Sequence, residues 1–222
     1  GAAKEGSAIS GTLGLSVAIN EVSNSTRAFI EAARVAADGA LAITAHSKKA
    51  DQDTYTIDAL ALAGAITGSS SSAGTGGALA GAGAGARNLI NRNVAAFIQD
   101  SPSVKGGTSV TVYAQDESSI RTDSGGFSVA LAKGSGSAGS LSVGISVSLN
   151  DIGTTGYHVD AYIDNSIVEE SGSVSVKADS TADINALSIG GAVSAASGSG
   201  TTGALAGAGA AAVNTIKVRL EA

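Results

Sequence analysis

The strongest constraint on this chain is a stretch it repeats. GALAGAGAGARN at 77–88 returns as GALAGAGAAAVN at 203–214, and bulkier versions, TLGLSVAIN ending at Asn20 and LSVGISVSLN ending at Asn150, make the repeat fourfold. Aligned on Asn20, Asn88, Asn150 and Asn214, the copies stand 68, 62 and 64 residues apart. Self-similarity at a fixed period marks arrays in which one unit does not bury its apolar face alone and stacks on the next.

Further blocks follow in the same order. Ala28, Phe29 and Ile30 align with Ala96, Phe97 and Ile98, with Ala161, Tyr162 and Ile163, and with Val218, Arg219 and Leu220. Leu41, Ile43 and Ala45 align with Val110, Val112 and Ala114 and with Val174, Val176 and Ala178, each trio preceded by a glycine (Gly39, Gly107, Gly172). Apolar residues recur every second position: Leu13, Leu15, Val17 and Ile19 on one face, Gly14, Ser16 and Ala18 on the other. That period is the period of a strand. A register from end to end predicts one array over 1–222, with units at about 11–77, 78–137 and 138–202 and a partial unit at 203–222.

Between the strands the pattern predicts turns at Ser23 to Ser25, at His46 to Thr54 and at the serine and glycine stretches 68–77, 133–140 and 197–203. Residues 31–38 are predicted as a loop, because the equivalent 99–107 and 164–172 carry proline and serine. The strands flanking each serine-glycine turn are apolar on both faces, which predicts that they lie innermost.

The fold class expected is all-β, a parallel β-helix or β-solenoid. Roughly 65 residues extended at about 3.3 Å each would enclose a ring far too wide for alanine and valine to fill. The repeat is therefore either several short coils or one flattened coil of two facing layers. In the first strand, units one and three carry large residues where units two and four carry Gly81, Gly83 and Gly85 or Gly207 and Gly209. This reads as knobs beside holes, or as drift within a repetitive sequence. The four asparagines are expected to stack at a corner, either bonding amide to amide or serving only as turn residues.

Composition narrows the function classes. Hydrophobic residues make up 43% of the chain but aromatics only 3%, so the core is thin and leaves little room for a ligand cavity. The net charge is −6 and the basic residues are scattered, which disfavours nucleic acid. No cysteine is present for a disulfide or a thiolate site. No apolar run approaches the roughly 20 residues of a spanning helix, so no membrane insertion is expected. The absence of methionine points to an excerpt of a longer polypeptide.

The pattern VDAYIDNSIVEESGSVSVKADSTADINA at 159–186 resembles the strand repeats of very large bacterial secreted and surface proteins, the filamentous-haemagglutinin-like adhesins and related β-strand-repeat proteins. The resemblance implies a right-handed parallel β-helix and a role in adhesion, matrix or surface structure. It transfers no functional residues.

Candidate chemistry is sparse. His46 and His158 stand at non-equivalent positions and read as solvated rather than catalytic or metal-binding. The pairs Asp51 with Asp53 and Asp160 with Asp164 point at most to weak calcium binding. Glu21, Glu31, Asp100, Glu117, Asp164, Glu169 and Glu170 lie mainly at turns and strand ends, without the facing geometry of a glycosidase pair. Phe29, Phe97 and Tyr162, continued by Arg219, form one column on the wet face, either a stabilising ladder or a sticky stripe for a glycan or neighbouring filament. The sequence thus predicts a non-enzymatic, extracellular or cell-surface structural or adhesive segment that self-associates end to end. The runner-up is a carbohydrate-binding or polysaccharide-degrading β-helix.

Overall fold

The period-two alternation is realised throughout a computed structural model that describes residues 1–4, 6–49, 54–153, 157–169 and 172–222. The described residues form sixteen strands and no helix, and every strand pairing is parallel. Each of the three complete repeats contributes to all four sheets, and the partial fourth only to the long one. The long sheet sets Ala8–Glu31 beside Gly76–Gln99, then Ala138–Ile152 with His158–Asp164, then Thr202–Ile216 with Arg219–Glu221. The return sheet holds Ile57–Ser71, Ser119–Gly134 and Asp183–Ser197, with Ala2–Ala3 at its edge. A base sheet holds Leu41–Ser47, Ser109–Asp116 and Ser173–Ser180, and a short sheet holds Arg34–Ala37, Ser103–Gly106 and Val168–Glu169.

Two regions result. In the tip, the return sheet folds back over the first half of the long sheet, and the interface is alanine: Ala78, Ala80 and Ala82 meet Ala65, Ala130 and Ala132. In the base, the second half of the long sheet packs on the base and short sheets through Val94 and Ile98 against Val104, Val110 and Val112, all fully buried. Removing one of these larger side chains costs about 2–5 kcal/mol in a well-packed core. The strands of the tip thus lie in two facing layers.

Several local expectations are corrected. No turn interrupts 23–25, because Ser23, Asn24 and Ser25 pair residue for residue with Asn91, Arg92 and Asn93 inside one strand. The predicted loop 31–38 contains the strand Arg34–Ala37, paired with Ser103–Gly106 across the proline that disguised it. His46 and Ser47 belong to the base strand rather than a turn, and residues 50–53 lie outside the described residues.

The corner of the repeat is not at the asparagines either. It falls at Ala32, Asp100 and Asn165, aligned positions with φ of 47°, 51° and 43°, the left-handed region a reversal of direction requires. The serine that follows caps it: Ser101 Oγ accepts from Ala33 N and Ser166 Oγ accepts from Ser101 N.

Finally, the tip strands are not innermost. Their large side chains point out of the two-layer slab: Leu13 and Leu15 are 72% exposed and Ile66 is 73% exposed. The small residues on their other faces point in. Alternation specified the faces, but small residues decided which face fits inside, since only they let the two layers approach closely.

Candidate functional surfaces

The interior of the tip is a polar ladder of small side chains. Ser124 Oγ lies 2.6 Å from Ser146 Oγ and 2.8 Å from Ser148 Oγ, Ser128 lies 2.7 Å from Ser142, and Ser194 donates to Ser140 at 2.7 Å. Buried hydroxyls need such partners, and neighbouring repeats and the facing layer supply these, while Ser69 Oγ is buried without one. Glycines set the closest approach. A Cβ on Gly144 would stand 2.0 Å from the Gly191 carbonyl oxygen, and one on Gly126 2.2 Å from that of Ile145.

At the boundary between tip and base the asparagines do stack. Asn20 Nδ2 donates to Asn88 Oδ1, Asn88 Nδ2 to Asn150 Oδ1 and Asn150 Nδ2 to Asn214 Oδ1, each at 2.8 Å. Asn88 and Asn150 are fully buried, and Thr122 Oγ1 sits 2.7 Å from both. The ladder has a direction: every amide donates towards the higher-numbered repeat, which leaves an acceptor leading at Asn20 and a donor leading at Asn214.

The outer faces of the tip are aliphatic and corrugated. On the long sheet, Leu13, Leu15 and Val17 pair with Gly81, Gly83 and Gly85, which pair in turn with Val143, Ile145 and Val147, which pair with Gly207, Gly209 and Ala211. Large repeats make ridges and small repeats make troughs. Leu13 Cδ1 lies 3.0 Å and Leu15 Cδ2 3.1 Å from where a Cβ of Gly81 or Gly83 would be, so the knobs lean over the holes. The knob-and-hole register is therefore present, on the surface rather than in the core. The surroundings of Gly207 are open, with nothing within 4 Å of a Cβ. From Ile9 to Val17 no outward position of the long sheet carries a charge in any repeat; Arg87 and Glu21 mark the boundary on the base side. The return sheet is similar but carries the pair Arg121 and Asp123, 3.1 Å apart.

The outside of the base is polar, and there Phe29, Phe97 and Tyr162 stack in register with ring centroids 5.2 and 5.0 Å apart and planes within 9°. Burial, and then the nearby Asp160 and Asp164, raise the Tyr162 phenol. Arg219 does not continue this column. It pairs with His158, four positions before Tyr162, because it stands only five residues past Asn214, whereas Phe29 and Phe97 stand nine past Asn20 and Asn88.

One charged cluster breaks the repetition. Arg92 points inward, its Nη1 3.9 Å from Asp116 Oδ1. Tyr157 donates to Asp116 Oδ2 at 2.5 Å, while Ser118 donates to the same carboxylate through N at 3.1 Å and Oγ at 3.0 Å. Asp116 is fully buried, and burial first, then the bond to Asp116 and its charge, push the Tyr157 phenol well above its usual range. The equivalents of Arg92 and Asp116 in unit one are Asn24 and Ser47. Sequence reading passed over this cluster, although the inward parity of Arg92, shared with Asn88 and Ile90, would have found it.

The other sequence candidates scatter. His46 Nε2 lies 3.2 Å from Glu117 Oε1, and Lys49 N donates to Glu117 Oε2 at 3.4 Å. His158 lies 3.2 Å from Asp160, whose carboxyl burial raises and His158 lowers. Asn165 donates to Asp100 at 2.5 Å. Asp51, Asp53 and Glu170 lie outside the described residues, and among the described residues no three or more histidine and acidic side chains gather into a group that would hold a metal. No protein-family model, no curated protein and no solved structure matches this chain.

Proposed function

We propose that this chain is a stretch of flattened parallel β-solenoid acting as a non-enzymatic structural or adhesive segment of an extracellular or cell-surface protein, extended end to end. The observation that carries this reading is the directional asparagine ladder within four repeats in unbroken register. Asn214 presents donors where another repeat would place an acceptor such as Asn20, and the backbone edges beside them repeat the same complementarity. Such a contact is heterologous and does not close, so it propagates.

Fibre diffraction and electron microscopy of the concentrated chain test the reading. Long fibres with an axial repeat of about 4.8 Å are expected, and Asn214→Leu is expected to suppress their growth. A chain that stays monomeric by light scattering at high concentration, with no fibres in micrographs, sinks it.

The aromatic column, exposed at Phe29 and buried at Phe97, supports a second reading, glycan binding. Stacking turns the ring faces towards one another and leaves the outer face of Phe29 as the platform a sugar would use. Loss of stability without loss of glycan binding on changing Phe29, Phe97 and Tyr162 to serine would leave only a ladder that stabilises the sheet.

A further inference from the structure

We propose that the aliphatic outer face of the long sheet, in the tip, docks against the same face of a second copy of this chain, ridge into trough. The face is uncharged from Ile9 to Val17 and its large residues are exposed, Leu13 by 72%, Val17 by 73% and, in the interior repeat, Ile145 by 49%. Exposure of that extent over contiguous positions marks a surface that another body covers.

Its relief says which body. Large and small repeats alternate, so ridges recur every second strand, about 9.6 Å apart at the usual strand spacing. Two open grooves mark the face: one of about 540 Å³ runs across the four repeats over Gly77, Gly139 and Gly203, between Ile9 and the row Leu79, Leu141 and Leu205, and one of about 510 Å³ lies over Gly81 between Leu13, Leu79 and Val143. A copy of this face shifted by one repeat sets each ridge over a trough of its mate, the interdigitation that packed sheets use. A two-fold axis lying in the plane of the contact, along the strands and between the second and third repeats, sets ridges over troughs and makes the contact isologous and self-complementary.

Area agrees. Ten residues of strand by four strands is roughly 600 Å² of face per copy, somewhat below the about 800 Å² per partner of a standard interface. Association of this chain is therefore concentration-dependent and strengthens with each added repeat. A lipid bilayer has no relief to match. This lateral contact is independent of end-to-end growth, which uses the ladder ends.

The test uses the chain's lack of cysteine. A single Val147→Cys on a ridge is expected to cross-link copies under mild oxidation, whereas Thr111→Cys on the polar outside of the base is not. Sedimentation is expected to show that Ile145→Lys weakens self-association about tenfold or more. Gly85→Val, which fills a trough at a position where a Cβ meets nothing within 4 Å, is expected to weaken it while leaving the circular dichroism of the fold unchanged. Equal cross-linking at Thr111→Cys, or undiminished association in both Ile145→Lys and Gly85→Val, overturns the proposal. So does a chain monomeric in solution that instead binds phosphatidylcholine vesicles through this face.

Discussion

The tip and the base share the same continuous strands, yet their faces are dressed in opposite ways. Along Gly76–Gln99 the inward positions run Ala82, Ala84, Ala86, Asn88 and then Ile90, Val94 and Ile98, with no change of parity. In the base, large aliphatics point in and polar residues point out, and in the interior repeat Val94, Ile98, Val104, Val110 and Val112 are fully buried within one chain. In the tip, alanine, serine and glycine point in and leucine, valine and isoleucine point out. Its cohesion comes from parallel ladders, satisfied hydroxyls and close backbone approach, and its largest apolar surface stays uncovered. Within one chain the base therefore buries more of its large aliphatics than the tip does.

The sharpest way to break that comparison is to put a side chain where the two layers of the tip touch. Gly144→Ala places a Cβ 2.0 Å from the Gly191 carbonyl, a backbone atom that moves only if the sheets separate. The expected loss exceeds the about 1–3 kcal/mol of ordinary overpacking. Gly85→Ala, one repeat earlier on the outward face, meets nothing and is expected to change stability by less than about 0.5 kcal/mol. Chemical denaturation of both variants decides it. Similar midpoints would mean that glycine does not set the spacing of the tip.

The repeat, its register and its strand period were legible because identical side chains recur at identical positions. The pairing of Asn20, Asn88 and Asn150 is the alignment read from sequence, as is that of Leu41 with Val110 and Val174. The sense of the faces was not legible. Where one face is leucine and valine and the other alanine and glycine, both read as apolar, and the choice between them depends on how closely two layers approach. The strand Arg34–Ala37 was hidden because its counterpart follows Pro102, and proline at a strand's approach does not preclude pairing a residue later. Arg219 was misplaced because Val218, Arg219 and Leu220 resemble the block Ala96, Phe97 and Ile98 in pattern while standing four residues nearer their asparagine.

The boundary cluster tests whether tip and base unfold together. The Tyr157 phenol is held above its free value near 10, so its contribution to stability is fully present below about pH 10 and is lost as pH rises further. One of the four tyrosines is expected to ionise late, together with unfolding, in an ultraviolet titration. Tyr157→Phe is expected to cost about 1–2 kcal/mol at neutral pH and to remove part of the alkaline loss. If the variant unfolds on the same alkaline profile as the parent, the cluster does not tie the two regions together.

The smallest expected effect has the opposite sign and belongs to the base alone. Ala32 occupies the left-handed corner with φ 47°, where Asp100 and Asn165 stand in the other repeats. A β-carbon there crowds the following carbonyl, at about 1–2 kcal/mol for an ordinary residue. Asparagine lessens that strain through local hydrogen bonds, and glycine abolishes it while adding entropy to the unfolded chain. Ala32→Gly is therefore expected to stabilise the fold by up to about 1 kcal/mol, and Ala32→Asn by less, through the kind of bond Asn165 makes to Asp100. Neither change touches the tip, so cross-linking through Val147→Cys should be unaffected while the denaturation midpoint rises. A fall in stability for Ala32→Gly would show that the corner is held by contacts of the alanine methyl rather than strained by it, and that the base, like the tip, depends on its smallest side chains.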